Sequence, residues 1–142
     1  MIKLPKKDIQ SMYDYETFNS LTTNEERLGK FLAHYEAMKI ASTIPGDIVE
    51  CGVFKGTSFV RLALMRQIMG GKFSSKILGF DTFSNTYPNT KYSEDKYQRK
   101  FWIKTAGSSS IGKDQLESIL KEKKIENYLI VKGDVVKTIP KF

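Results

Sequence analysis

Cysteine, histidine and tryptophan each occur once in the 142 residues. The lone Cys51 excludes an internal disulfide framework and a cysteine-based metal site. The lone His34 excludes any site that needs two imidazoles. No apolar run approaches the roughly 18 residues of a membrane span, and Met1 to Lys7 carries charge but no apolar stretch of the kind found in secretory signals. Internal repeats and low-complexity tracts are also absent. These absences lead to the expectation of a cytoplasmic chain with no membrane partner. Nucleic acid is not an expected partner either, despite the formal net charge of +7. Lys121, Lys123 and Lys124 share their segment with Glu122 and Glu126, as on a solvated helix face, and basic residues do not interleave with aromatic ones.

With 40% hydrophobic and 27% charged residues, the chain has enough apolar surface for a packed core of ordinary domain size. Residues 1–23 show no period and read as an irregular N-terminal arm. Thr22 and Thr23 stand three residues before Glu25 and Glu26, the spacing of a capping box. Beyond them Leu28, Phe31, Leu32, Tyr35 and Met38 recur at helical intervals, which predicts a helix over 24–43, ended by Pro45-Gly46. Phe31 and Tyr35, with Phe59 and Met65 of the next helix, are expected in the core. Asp47 to Cys51 reads as a buried strand, with Cys51 a small buried residue. Thr57-Ser58 starts a second helix, stopped by Gly70-Gly71. Lys76 to Phe80 reads as a second strand, 81–91 as a long loop, and 93–104 as a third helix. Gly107 to Ser110 reads as a break, 112–124 as an amphipathic helix, and Tyr128 to Lys132 as a third strand. Strands that alternate with helices predict an α/β fold: a Rossmann-like parallel sheet with flanking helices, over 24–142.

The segment Glu50-Cys51-Gly52-Val53-Phe54-Lys55-Gly56-Thr57-Ser58 puts an acid at the carboxyl end of a buried strand, then two glycines, then a helix start. Glycine lets backbone approach a ligand closely, and a helix N-terminus presents free N–H groups. Ligands of open α/β sheets bind beyond the carboxyl ends of the strands. Asp81 ends the next strand, 25 residues after Gly56, near the offset at which an acid grips ribose hydroxyls. Gly133-Asp134 ends the third strand in the same way, where an adenine edge would lie. The turn is not G-x-G-x-x-G, and an acid before it suits a cationic ligand better than a diphosphate. S-adenosylmethionine meets those demands.

Glu50-x-Gly52-Val53-x-x-Gly56 together with Phe80-Asp81-Thr82-Phe83 resembles motifs I and II of class I S-adenosylmethionine-dependent methyltransferases. Thr22 to Arg27, Gly46 to Ser58, Phe80 to Pro88 and Gly133-Asp134 resemble the macrocin O-methyltransferase family within that class. The resemblance implies that Glu50, Gly52 and Val53 lie at the amino acid end of the cofactor. It places Gly56, Thr57 and Ser58 beneath the methionine moiety, Asp81 on the ribose with Thr82 beside it, and Asp134 by the adenine. It implies a sugar or nucleotide-sugar hydroxyl as methyl acceptor. It also implies magnesium, held by aspartates after a fourth strand, with the catalytic base nearby. No segment here matches that acidic strand end, so neither metal-binding nor catalytic residues are expected in this chain. The expectation is the cofactor-binding half of a longer, truncated methyltransferase. Its first strand would then be an apolar sheet edge, which a homo-oligomer is expected to cover. The alternative is a non-catalytic nucleotide-binding or interaction module.

Overall fold

The apolar run Ile77-Leu78-Gly79-Phe80 forms the middle of the sheet. The computed structural model describes residues 2–4, 6–70 and 75–142, so Gly71 of the expected helix stop lies outside the described residues. Along the chain the elements are α1 (Ile9–Thr22), α2 (Glu25–Ala41), β1 (Ile48–Cys51), α3 (Thr57–Gly70), β2 (Ile77–Asp81), β3 (Ser84–Thr86), α4 (Ser93–Ala106), β4 (Ser109–Gly112), α5 (Lys113–Glu122), β5 (Tyr128–Lys132) and α6 (Val135–Thr138). A 3-10 turn, Ile139–Lys141, follows. The parallel strands are ordered β1-β2-β5, with Cys51 opposite Phe80 and Asp81 opposite Lys132. That register brings the three carboxyl ends to one rim. The expected parallel sheet with flanking helices is the observed architecture.

β2 is buried from Ile77 to Phe80, as a central strand covered on both faces must be. Gly79 permits this: a Cβ there would lie 2.8 Å from the Phe59 ring and 3.2 Å from Val53 Cγ2. α3 packs on the sheet through Phe59 and Ala63, and α5 through Leu116 and Leu120, with Val53, Ile77, Phe83, Ile111, Ile125 and Ile130 completing the core. Each such fully buried Val, Leu, Ile or Phe side chain contributes about 1.5–3 kcal/mol. Arg66 is buried among them at 1% exposure. Its guanidinium donates to the carbonyls of Ser75 (2.7 Å), Asn127 (2.6 Å) and Glu126, tying together the loops that lead into β2 and β5. Replacing Arg66 with methionine strands those carbonyls. The melting temperature is expected to fall by about 8 °C, for roughly 2–3 kcal/mol of lost stability; a scanning calorimeter reads it directly, and an unchanged value would refute the tie.

Several local expectations are corrected. The N-terminal segment is helical over Ile9–Thr22, capped by Asp8, whose carboxylate accepts from the Ser11 amide at 2.8 Å. It buries no residue, and an apolar period is the signature that burial would have left. α2 is capped by Asn24, which accepts from the Arg27 amide at 3.0 Å, rather than by Thr22 or Thr23. Of its apolar stripe only Met38 is buried, while Phe31 and Tyr35 are 43% and 42% exposed. Cys51 is exposed, because alternate residues of the edge strand β1 face away from α3. The expected loop and break contain β3 and β4, which pair antiparallel as a separate ribbon. No helix among the described residues is long and apolar enough to cross a membrane.

Candidate functional site

The turn from β1 to α3 alternates backbone handedness. Gly52, Phe54 and Gly56 have φ of 87°, 51° and 80°. The two glycines serve different ends. At Gly52 nothing lies within 4 Å of where a side chain would project, so the backbone there borders open space. At Gly56 a Cβ would meet Ile111 Cδ1 at 3.2 Å, so that glycine serves the packing of β4 against the turn. The Val53 side chain is buried in the core.

Glu50 is the last residue but one of β1, two residues before Gly52. Ser58, one residue into α3, donates its hydroxyl to Glu50 Oε1, whereas Oε2 is buried and has no partner. Burial pushes the Glu50 carboxyl above its ordinary value. The Ser58 hydrogen bond and the Lys30 charge pull it down, and the Asp81 charge adds to the upward push. Thr57 is exposed at the start of α3. Lys30, on α2, was not singled out by sequence, although it lies four residues before His34 on one helix face. The His34 imidazole is held below its usual value by burial, then by the charges of Arg61 and Lys30.

Asp81 is saturated by the protein. Its Oδ2 accepts from the amides of Val53 at 2.7 Å and Phe54 at 2.9 Å. Its Oδ1 accepts from the Phe83 amide at 3.0 Å and the Thr82 hydroxyl at 3.2 Å. A carboxylate offers about four lone-pair sites, and all are used. The Thr82 contact is long for an O–H···O bond, and the same hydroxyl has a second partner, Ser84 Oγ, also at 3.2 Å. On the third strand end, the Gly133 amide donates to the Asp81 carbonyl at 2.9 Å. Asp134 is exposed and caps α6, accepting from the Val136 amide at 3.1 Å. Glu50, Gly52, Thr57, Ser58, Asp81, Thr82 and Asp134 therefore border one rim, with Val53 and Gly56 turned into the fold behind it.

A family model described as macrocin-O-methyltransferase (TylF) matches residues 6–136. The chain belongs to the macrocin-O-methyltransferase family. That is the family expected from the Glu50-to-Gly56 and Phe80-to-Phe83 segments. Among solved structures, the chain is similar to CalS11, described as a calicheamicin methyltransferase, with a TM-score of 0.65 and 20% identity over 95% of this chain and 55% of that one. The apo structure of CalS11, described as a TDP-rhamnose 3'-O-methyltransferase, gives a TM-score of 0.53 at 18% identity over 96% and 53%. The O-methyltransferase NovP gives 0.61 at 16% identity over 78% and 47%. These likenesses show the Rossmann-like fold. The chain spans about half the length of the solved structures it matches. No curated protein sequence matches it. In this macrocin-O-methyltransferase family member, the strand-end rim is where the glycine turn, the buried acid and the start of α3 converge.

Proposed function

We propose that the turn between β1 and α3 binds S-adenosylmethionine, and that the chain serves O-methylation of a sugar or nucleotide-sugar hydroxyl. The observation that supports this best is the buried, unpartnered Oε2 of Glu50, two residues before the open backbone at Gly52. A carboxylate withdrawn from water without a partner is costly. The ammonium group of an amino acid supplies both the missing donor and the opposite charge. S-adenosylmethionine carries that group, and when bound it supplies a methyl activated by its sulfonium.

The residues of this chain bind and orient. Glu50 receives the ammonium, and Gly52 leaves room for it next to the backbone of Val53. The start of α3, from Gly56 through Thr57 and Ser58, offers the positive end of its dipole to the carboxylate of the methionine moiety. The Thr82 hydroxyl turns to Ser84, which frees one lone pair of Asp81 Oδ1 for a ribose hydroxyl. Asp134 borders the adenine from the third strand end. The family implies magnesium; among the described residues no three His, Cys, Asp or Glu side chains come together to hold it. Titrating the chain with S-adenosylmethionine in a calorimeter is expected to show one site per chain. A folded sample that takes up neither S-adenosylmethionine nor S-adenosylhomocysteine overturns the reading.

The sheet edge supports a second element of the proposal. Among the described residues β1 pairs only with β2, and Val49 on it is 54% exposed. Unpaired strand edges invite another chain, so a homo-oligomer covering β1 is expected. Solution scattering should report a mass above the monomer, and Val49→Lys should shift it toward the monomer; a wild-type monomer contradicts the arrangement. The exposed free thiol of Cys51 fits a reducing, cytoplasmic setting.

A further inference from the structure

We propose that Phe54 is a positioning residue through which the excursion from β3 to β4 sets the shape of the cofactor turn. The inference rests on reading that turn as the S-adenosylmethionine site.

Phe54 holds a left-handed backbone, φ 51°, that bulky residues rarely adopt. Such a conformation persists only where the surroundings over-determine it. They do so here from two directions. The Phe54 amide donates to Asp81 Oδ2 at 2.9 Å, on the sheet side. The Phe54 carbonyl accepts from the Ile111 amide at 2.8 Å and from the Ser110 hydroxyl at 3.0 Å, both on β4. Its ring meets the Tyr87 ring edge-on, with centroids 5.5 Å apart at 79°. Next to it, Lys55 donates its ammonium to the carbonyl of Ala106 at the end of α4. The Tyr87 amide donates to the Ser108 carbonyl at 2.7 Å, closing the base of the excursion that carries α4.

Both polar backbone groups of Phe54 are thus held by partners outside the turn. The Val53 amide shares the same Asp81 oxygen at 2.7 Å, so a shift of the Phe54 peptide is passed to the backbone that lines the open space at Gly52. Among the described residues, no hydrogen bond or ring contact joins Tyr87 or Ser110 directly to a residue assigned to the cofactor, whereas both meet Phe54. Their effect on it would run chiefly through Phe54.

The test compares Tyr87→Ala, Tyr87→Phe and Ser110→Ala with the wild type. Affinity for S-adenosylhomocysteine is read by calorimetry, and amide hydrogen exchange is read at Val53, Phe54 and Leu78. Tyr87→Ala and Ser110→Ala are expected to bind about tenfold more weakly, the equivalent of roughly one net hydrogen bond. Exchange at Val53 and Phe54 should quicken, with Leu78 in the sheet unchanged. Tyr87→Phe keeps the ring and should match the wild type on both readouts. If the wild type binds and both variants bind equally well, the inference is overturned. Equal acceleration at Leu78 marks general loosening and also overturns it. A wild type that does not bind overturns the cofactor reading itself. Exchange at Val53 and Phe54 then still decides whether β4 and Tyr87 hold the turn.

Discussion

Replacing Glu50 with glutamine is expected to make the free protein more stable at neutral pH and a weaker binder. Burial, before any other cause, raises the Glu50 carboxyl above its ordinary value. A group raised on folding contributes stability that is fully present below its unfolded value, about 4.3, and lost as pH rises through the folded value. At pH 7 the ionised Glu50 is therefore a net cost to the unliganded fold. Glutamine keeps an oxygen for the Ser58 hydroxyl and removes the charge. The melting temperature at pH 7 should rise by about 3 °C, the effect of roughly 1 kcal/mol in a domain of this size. The advantage of the variant should shrink as pH falls through the raised folded value of Glu50, because the carboxyl then takes up a proton and loses its charge. Affinity for S-adenosylmethionine should fall about 30-fold, from loss of the roughly 2 kcal/mol of a charge-assisted hydrogen bond. A variant that is less stable at pH 7 would show that the carboxylate is satisfied in the free protein.

Replacing Asp81 with alanine is expected to cost more, and in both respects. The change removes one side chain and strands the amides of Val53, Phe54 and Phe83. Roughly 3 kcal/mol of stability should be lost, lowering the melting temperature by about 10 °C. Asparagine separates the causes. Its amide oxygen serves one pair of donors, and its NH2 group then faces the other pair, donor against donor. Asp81→Asn should therefore lose about half as much stability as alanine and remain folded. Its affinity for S-adenosylmethionine should still drop about 100-fold, roughly 2.7 kcal/mol. Denaturant titration with calorimetry on the same samples reads both quantities. Full binding by a folded Asp81→Asn would remove Asp81 from the site.

The three parallel strands were legible because each is a short apolar run closed by turn residues: Ile48 to Cys51, Ile77 to Phe80, and Tyr128 to Lys132. Their observed bounds differ from the expected ones by a residue at most. The rim followed, since Asp81 ends β2, Asp134 follows β5 and Glu50 is the last residue but one of β1. The ribbon of β3 and β4 was not legible. Ser84-Asn85-Thr86 and Ser109 to Gly112 are rich in turn formers, and they become strands by pairing across the excursion that holds α4. Nor could spacing show how the rim is wired. That Asp81 accepts four protein donors depends on the left-handed turns at Phe54 and Phe83, φ 51° and 46°, which aim backbone amides at it. The helical period over Leu28, Phe31, Leu32 and Tyr35 correctly marks α2. Periodicity identifies an apolar face, however, and not the presence of a neighbour to bury it; in this chain that face is largely exposed.

In the proposed complex the unpartnered Oε2 of Glu50 receives the ammonium of the cofactor. The most direct test is a calorimetric cycle. Wild type and Glu50→Gln are each titrated with S-adenosylhomocysteine and with its analogue lacking the α-amino group. The wild type is expected to bind the complete ligand about 30-fold more tightly than the analogue, and Glu50→Gln to discriminate hardly at all. Equal binding of the two ligands by the wild type, or undiminished discrimination by Glu50→Gln, would contradict the assignment.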